Sequence, residues 1–250
     1  MAQRTPEGPP PAPAVQKLRI RYAKRGRLRF SSTRDFARAL ERALRRADVP
    51  MAFSGGFHPH PLISYANAAP TGTASEAEYF EIRVTERVEP DAVREALDEA
   101  LPEGLDVIEV VASAGGSMAD RLEASWWQLT LPETGVEEAE EAVAALLALD
   151  EVIVERMTKK GLRSFDARAA IVSVRIADRP AGSESCAILD VVLRHGSPSV
   201  RPDDVLAALQ QASGLRITAV LQQRLAQGPL DAEGGTVGDP LAPDRDAAGQ

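Results

Sequence analysis

The chain has 250 residues and a formal net charge of −8; 44% of its residues are hydrophobic and 26% are charged. This balance is typical of a globular protein that forms one large domain or two small ones. The single cysteine, Cys186, excludes a disulfide framework, a cysteine-based zinc site and an iron–sulfur cluster held by this chain alone. No apolar run approaches the ~20 residues of a membrane span, and the N-terminus lacks the apolar core of a signal peptide. We therefore expect a cytoplasmic protein without a cofactor.

The charges are separated along the chain. Residues 16–50 contain twelve basic and three acidic residues, whereas residues 76–151 contain 21 acidic and four basic residues. A smaller basic cluster that includes Lys159 and Lys160 follows. Such a chain can bind a polyanion through the basic residues of the segment 16–50 and repel it elsewhere. Alternatively, this basic segment docks on the acidic segment 76–151 within the molecule.

The first half of the chain predicts the element order β-α-β-β-α-β. Apolar residues at positions 18, 20 and 22 alternate with arginines, which is typical of a half-buried strand. A helix follows Ser32, which pairs with Asp35 as a cap, and its apolar residues Phe36, Leu40 and Leu44 share one face. The predicted elements that complete this unit are a strand at 51–53, a long loop, a strand at 80–84, a helix from Pro90 and a strand at 105–111.

The second half repeats this order with one extra strand. Its predicted elements are a strand at 126–129, a helix at 135–149, strands near 151–157, 168–177 and 186–194, a helix from Pro202 and a strand at 215–225. The helices from Pro90 and Pro202 share the pattern P-D-x-V-x-x-A-L, and each has proline at its first helical position.

This repetition predicts an α+β fold of two tandem ferredoxin-like (βαββαβ) sandwiches. The first domain is predicted at residues 16–113 and the second at residues 124–227. The Pro-rich residues 1–15 and the Gly-, Pro- and Asp-rich residues 228–250 have no apolar periodicity. We expect both of these segments to be disordered tails.

Basic side chains of the first helix form a candidate polyanion site. At about 100° per residue, four arginines fall within an arc of about 80° opposite the apolar face. This arginine stripe consists of Arg34, Arg38, Arg42 and Arg45. The basic residues that surround Gly26 in the preceding connection are Lys24, Arg25, Arg27 and Arg29. Guanidinium groups on a rigid surface each hold a phosphate with two hydrogen bonds, so the pattern indicates polyanion binding. The alternative is a charged helix face that is merely solvated, with the acidic residues Glu41 and Asp48 nearby.

The loop of residues 53–61, FSGGFHPHP, contains two glycines, two histidines and two prolines. Long loops inside compact domains are usually functional. In one interpretation, the histidines only hold the loop by hydrogen bonds while Phe57 fills the core. In a second, Phe57 and His60 contact nucleic acid. In a third, His58 and His60 act as the general base and acid that RNA cleavage requires. Two histidines without a cysteine or carboxylate at ligand spacing predict no metal site.

Several motifs together resemble a known family. They are RLRFS (27–31), RDFARALERALRRA (34–47), FSGGFHPHP (53–61), ISYA (63–66), SEAEY (75–79), KKG (159–161), DAR (166–168) and RPDDVLAAL (201–209). Over residues 16–226 the chain resembles the radical-SAM-associated domain of unknown function, in its stand-alone form. The resemblance implies a radical-SAM enzyme as a partner in trans, because this chain has no C-x-x-x-C-x-x-C motif. Thr33 and Leu62 depart from the family pattern, and the first departure, from His, argues against a multi-histidine active site.

Three functions are compatible with these residues. The first is an RNA-binding accessory protein that acts with a separate radical-SAM enzyme or ribonuclease. The second is an adaptor that docks a radical-SAM enzyme without contacting RNA. The third is a metal-independent ribonuclease that uses His60. We expect the first, because the sequence has no complete catalytic constellation. The residues predicted to bind RNA are Lys24, Arg25, Arg27, Arg29, Arg34, Arg38, Arg42, Arg45, Phe57, His60, Lys159 and Lys160.

Overall fold

The computed structural model describes residues 11–158, 161–177, 186–231 and 233–249. The helices in these ranges are α1 (Thr33–Arg46), α2 (Pro90–Ala100), α3 (Met118–Arg121), α4 (Val136–Leu147), α5 (Pro202–Ser213) and α6 (Ala242–Ala248). The strands are β1 (Gln16–Lys24), β2 (Ile63–Ala66), β3 (Ala74–Val84), β4 (Val107–Ala112), β5 (Ala124–Leu131), β6 (Ile153–Thr158), β7 (Gly161–Asp166), β8 (Ile171–Ile176), β9 (Ala187–Arg194), β10 (Leu221–Gly228), β11 (Leu230–Asp231) and β12 (Thr236–Val237).

This α+β chain divides into two compact units. Unit 1 comprises the residues up to 119 together with those from 241 onward, and unit 2 comprises residues 120–240. The predicted α+β class is confirmed. The division after residue 119 lies in the interval that the sequence leaves between the two predicted domains, but the return of the C-terminal residues to unit 1 is not part of that prediction.

Unit 1 contains an antiparallel sheet with the strand order β4-β1-β3-β2. Its helices α1 and α2 each connect strands that are not neighbours, which is the arrangement of a ferredoxin-like split βαβ sandwich. Leu18 and Ile20 of β1 and Phe80 of β3 pack with Phe36 and Leu40 of α1 in one apolar core. We call this side of the sheet the helix face. The residues that alternate with the core residues lie on the opposite face.

Unit 2 repeats this arrangement with the antiparallel strand order β10-β5-β9-β8. Helices α4 and α5 contribute Leu146 and Leu209 to its apolar core, where they join Leu129 of β5 and Leu189 of β9. Strands β6 and β7 pair with each other in a separate two-stranded sheet. The predicted extra strand is therefore a complete hairpin, inserted between α4 and β8.

Two predicted strands need correction. Met51 and Phe53 form only isolated bridges, to Val84 and Pro61, and the second strand of unit 1 is Ile63–Ala66. This strand is favoured because its Tyr65 packs edge-on against the ring of Phe36, at 6.0 Å between centroids. In unit 2, the last strand begins at Leu221 rather than at residue 215. The apolar residues just before it pack against the core without forming a ladder.

The prediction of a disordered tail at residues 228–250 is wrong for the residues described. Strands β11 and β12 and helix α6 lie in this segment, and Leu241 is fully buried. Asp244 of α6 accepts hydrogen bonds from Nη1 of Arg19 at 2.8 Å to both of its carboxylate oxygens, and both side chains are buried. Local composition cannot reveal a partner 225 positions away. Of the other predicted tail, residues 1–10 lie outside the described residues, and residues 11–15 have no regular secondary structure.

Candidate nucleic-acid interface

Helix α1 carries the arginine stripe on its outer side. Ser32 caps the helix by accepting a hydrogen bond from the Asp35 amide, and Phe36, Leu40 and Leu44 bury the opposite face. All four arginines of the stripe are exposed. Among the described residues, none of them forms an ion pair or a side-chain hydrogen bond. At 1.5 Å of rise per residue, the stripe is about 16 Å long.

One carboxylate lies at the start of the stripe. The Oγ hydroxyl of Ser32 donates to Asp35 at 2.7 Å, and the backbone amide of Ser32 donates at 3.3 Å. These hydrogen bonds, together with the nearby charges of Arg38 and Arg34, lower the pKa of Asp35. The carboxylate therefore stays ionised at neutral pH and holds the helix cap. Glu41 is the second acidic residue of α1, so two carboxylates stand against the four guanidinium groups of the stripe, which keeps a net positive charge.

Two residues predicted to bind RNA have polar partners within unit 1. Lys24 is buried, and its ammonium donates to the carbonyl oxygens of Ala69 and Pro70 at 3.3 and 3.2 Å. Arg25 forms ion pairs with Glu76 and Asp106, and the hydrogen bond to Glu76 is the largest cause of its raised pKa. The prediction for Lys24 is wrong because the loop before β3 covers its ammonium, and Arg25 has its counter-charges within unit 1.

The next part of this connection is open to solvent. Arg27 is exposed, and Arg29 is half-buried with its guanidinium carbon 4.8 Å from the centroid of the Phe30 ring. Phe30 itself is 59% exposed. Sequence reasoning missed Phe30, although an aromatic residue interleaved with basic residues in R-L-R-F is a recognised signal for single-stranded nucleic acid.

The loop of residues 53–61 is closed at its base and exposed at its tip. The amide of Ser54 donates to the carbonyl of His60 at 2.8 Å, and the amide of His60 donates to Oγ of Ser54 at 3.0 Å. Phe57 is 61% exposed, so the interpretation in which it fills the core is wrong. His58 and His60 are exposed as well. The structure thus leaves the aromatic ring and both imidazoles accessible to a ligand.

His60 lines a cleft of about 260 Å³ at the edge of unit 1. The polar residues around this cleft are Lys17, Ser54, His60, Ser64, Glu81 and Arg83. Burial is the largest single influence on Glu81 and acts to raise its pKa, but hydrogen bonds from Arg19 and Lys17 bring the pKa below its ordinary value. His58 is not among the lining residues. The two histidines therefore do not share this cleft as a base and acid pair.

The predicted RNA-binding residues form two groups on different sides of the sheet. Lys17 and Arg83 are register partners in β1 and β3, next to the core pair Leu18 and Ile82, so they lie on the opposite face. The arginine stripe lies beyond the helix face. The cleft of His60 and the stripe are thus separated by the sheet. Lys159 and Lys160 lie outside the described residues.

The described ranges contain no group of three or more His, Cys, Asp or Glu side chains that could hold a metal ion. None of the helices in those ranges is both long and apolar enough to cross a membrane.

A family model described as "Uncharacterized protein conserved in bacteria (DUF2344)" matches residues 17–202, and the chain belongs to this family. No significant sequence match to a curated protein was found. A chain of a Cbf5-Nop10-Gar1 complex is similar at 10% identity and a TM-score of 0.47, over 90% of this chain and 55% of that chain. The present chain thus spans about half of that chain's length. An unknown protein from Galdieria sulphuraria is similar at 14% identity and a TM-score of 0.25, over 84% of this chain and 98% of that chain.

Proposed function

We propose that this chain is a cytoplasmic RNA-binding accessory protein that grips the RNA backbone with the arginine stripe of α1. The observation that carries the proposal is that four exposed arginines share one rigid helix surface without an ion pair among the described residues. Asp35 and Glu41 lie at helical spacing from these arginines, yet neither forms an ion pair with them, so the guanidinium groups stay available to a ligand. Guanidinium groups in this arrangement match the spacing and charge of successive phosphates.

The proposed contact surface extends beyond the helix. Arg27 and Arg29 continue it upstream, and Phe57 and His60 offer a second contact at the exposed loop. Lys159 and Lys160, which lie outside the described residues, remain in the proposal as a pair of basic residues in the sequence. The catalytic partner in this proposal is a separate radical-SAM enzyme or a ribonuclease, and the sequence resemblance is its only support.

The first test is binding of labelled total tRNA and rRNA fragments, measured by fluorescence anisotropy at two salt concentrations. Four phosphate contacts predict that the affinity falls about 50-fold between roughly 50 and 200 mM salt. Changing Arg34, Arg38, Arg42 and Arg45 to Glu should abolish the binding. A control variant carries the same charge change at exposed arginines elsewhere, namely Arg87, Arg175, Arg194 and Arg216.

The control variant distinguishes loss of the arginine stripe from the effect of the changed net charge alone. We expect it to retain most of the binding, since its arginines do not share one helix surface. Equal loss in both variants would contradict a defined interface on α1. If the unmodified protein binds no RNA at low salt, the RNA proposal fails. The second function, an adaptor that docks a radical-SAM enzyme through its charged surface, would then be tested by co-purification.

The cleft supports a second candidate function, a metal-independent ribonuclease. It brings His60 together with two cationic side chains, Lys17 and Arg83. Here His60 would take the proton of a 2′-hydroxyl, whose oxygen attacks the phosphorus; the bond from phosphorus to the 5′-oxygen would break, and the departing 5′-oxygen would take its proton from the Lys17 ammonium or from solvent water. His60→Ala should abolish cleavage in the presence of a chelator, while His58→Ala should not. Cleavage that persists in His60→Ala would exclude this mechanism.

A further inference from the structure

The connection between β1 and α1 presents an aromatic ring that the fold holds in place but does not bury. Phe30 ends the short 3-10 turn Gly26–Phe30 and is 59% exposed. Its ring lies on the bare backbone of Gly72: a Cβ added to Gly72 would be 3.7 Å from a ring carbon. The amide of Gly72 also donates to the carbonyl of Arg29 at 2.8 Å. The ring is therefore fixed at its base and open on its outer side.

The guanidinium of Arg29 completes this arrangement. It lies over the ring of Phe30 at 4.8 Å from the centroid, within the range of a cation–π contact. Its Nε atom is buried and has no hydrogen-bond partner among the described residues. Buried donors in folded proteins are almost always paired. The guanidinium of the half-buried Arg29 thus lies directly beside an exposed aromatic ring, and no carboxylate among the described residues pairs with it.

These two residues lie at the beginning of the arginine stripe. Phe30 precedes Arg34 by four residues, and Arg27 lies on the other side of the ring in sequence. Backbone contacts on the stripe would therefore bring a nucleic acid strand to this ring. In a duplex the bases are stacked on one another and cannot present a face to a side chain, whereas an unpaired base can.

We propose that Phe30 and Arg29 form a stacking site for one unpaired base, and that the ligand of the arginine stripe is single-stranded RNA. In this site the base stacks on the outer face of the Phe30 ring, and the Arg29 guanidinium binds the adjacent phosphate. The proposal rests on the proposed function and adds to it the strand form of the RNA. It also assigns to Phe30 a role that the basic residues cannot fill.

The test compares a labelled 12-nucleotide oligouridylate with an RNA duplex of the same length. Phe30→Ala should weaken binding of the single strand about 5- to 150-fold and leave duplex binding unchanged. Phe30→Tyr, which keeps the ring, should bind like the unmodified protein. Val15→Ala is the matched control, because it shortens another exposed apolar side chain of unit 1. The salt dependence of binding should be the same in all variants, since Phe30 contacts no phosphate.

A second measurement separates stacking from a structural role. In a series of oligouridylates, each lacks the base at one different position. We expect the unmodified protein to bind one of these oligonucleotides more weakly than the rest. The Phe30→Ala variant should bind all of them equally. Equal loss of single-strand and duplex binding in Phe30→Ala, or loss in Phe30→Tyr, would overturn the stacking site. If the arginine variant loses RNA binding but Phe30→Ala does not, the stacking site is wrong and the proposed function stands. If the arginine variant binds normally, the proposed function itself is wrong.

Discussion

The first helix of each unit, α1 in unit 1 and α4 in unit 2, has the same place in its sandwich but an outer surface of opposite charge. Outer positions of α1 carry the arginine stripe, whereas α4 exposes Glu138, Glu140 and Glu141. The inner faces of both helices are apolar, with Phe36 and Leu40 in α1, and with Ala142 and Leu146 in α4. The two helices thus agree where they pack and differ where they meet solvent.

This difference separates the residues that determine the fold from the residues that we propose to bind a ligand. Buried apolar residues set the position of each helix, because their transfer from water dominates the free energy of folding. Exposed charges contribute little to stability. The four arginines on the outer surface of α1 therefore say little about folding, and the proposed function assigns them to a ligand of opposite charge. The following predictions test this separation, beginning with the largest expected effect.

The largest effect that we predict is on the stability of unit 1, which buries the charge of Arg19. The Arg19 guanidinium donates hydrogen bonds of 2.8–2.9 Å to the carboxylates of Asp244 and Glu81 and to the carbonyl oxygens of Gly115 and Gly116. Asp244→Ala leaves this buried cation with one carboxylate, and we expect it to lower the free energy of unfolding by about 3 kcal/mol. All three tyrosines of the chain lie in unit 1 and both tryptophans lie in unit 2. Urea unfolding followed by second-derivative absorbance, which resolves the tyrosine bands from the tryptophan bands, and by tryptophan fluorescence therefore reports the two units separately.

The matched control for this prediction is Asp246→Ala, two residues along the same helix. Asp246 is exposed, and it forms no ion pair with any of the described residues. We expect a change within about 0.5 kcal/mol in this variant. A tyrosine transition that is equally stable in Asp244→Ala and in Asp246→Ala would show that the C-terminal helix does not stabilise unit 1.

The second prediction moves the basic surface from α1 to α4. Starting from the variant without the arginine stripe, Glu138, Glu140 and Glu141 are changed to Arg. We expect at least a tenfold gain in RNA affinity over the starting variant, with dissociation constants in the range of about 10⁻⁴ to 10⁻⁶ M that is typical of non-specific binding. This restored binding should not prefer single strands, because α4 has no ring equivalent to Phe30. If the affinity for RNA does not increase, exposed positive charge on the first helix of a unit is not sufficient for RNA binding.

Much of the fold could be predicted because it is encoded in local periodicity. The capped helix α1 follows from Ser32, Asp35 and the spacing of its apolar residues, and the arginine stripe follows from the same geometry. Strand β2 and helix α6 could not be predicted in this way. The four residues of β2 acquire their structure from pairing with β3, and α6 depends on a partner at the other end of the chain. Such contacts leave no periodic signal in their own segment.

The predicted site shows the same limit. On a regular helix the outer positions are known from spacing, so the exposure of the stripe was predictable. In an irregular connection the exposure of a cation depends on which distant segment covers it. Lys24 is covered by the carbonyl oxygens of Ala69 and Pro70, whereas Arg25 is exposed and pairs with carboxylates from β3 and from the residues before β4. Nothing near Lys24 in sequence distinguishes it from Arg27, which is exposed.

The smallest effect that we predict comes from the different ionisable groups that the two units bury. In unit 2, the His195 ring bonds through Nδ1 to the carbonyl of Leu122 at 2.7 Å and through Nε2 to Oγ of Ser125 at 3.1 Å. A carbonyl accepts only from a protonated nitrogen, so Nδ1 carries the hydrogen. Burial lowers the pKa of His195 below its ordinary 6.5, against the hydrogen bond to Leu122, and the charge of Arg224 lowers it further.

Because this pKa is lower in the folded state, the unfolded chain binds the proton first as the pH falls below 6.5, and unit 2 loses stability from there downward. In unit 1 the pKa of Glu81 is also lowered, but from 4.5, so the stability that it contributes is lost only as the pH falls below that value. Between pH 7 and pH 5, roughly, the tryptophan transition should therefore shift with pH while the tyrosine transition stays constant. In His195→Gln the tryptophan transition should lose this pH dependence, whatever its absolute stability. A pH dependence that persists in His195→Gln would show that another group of unit 2 titrates in this range. The difference between the two units would then not come from the neutral buried His195 of unit 2 and the ionised Arg19–Glu81 pair of unit 1.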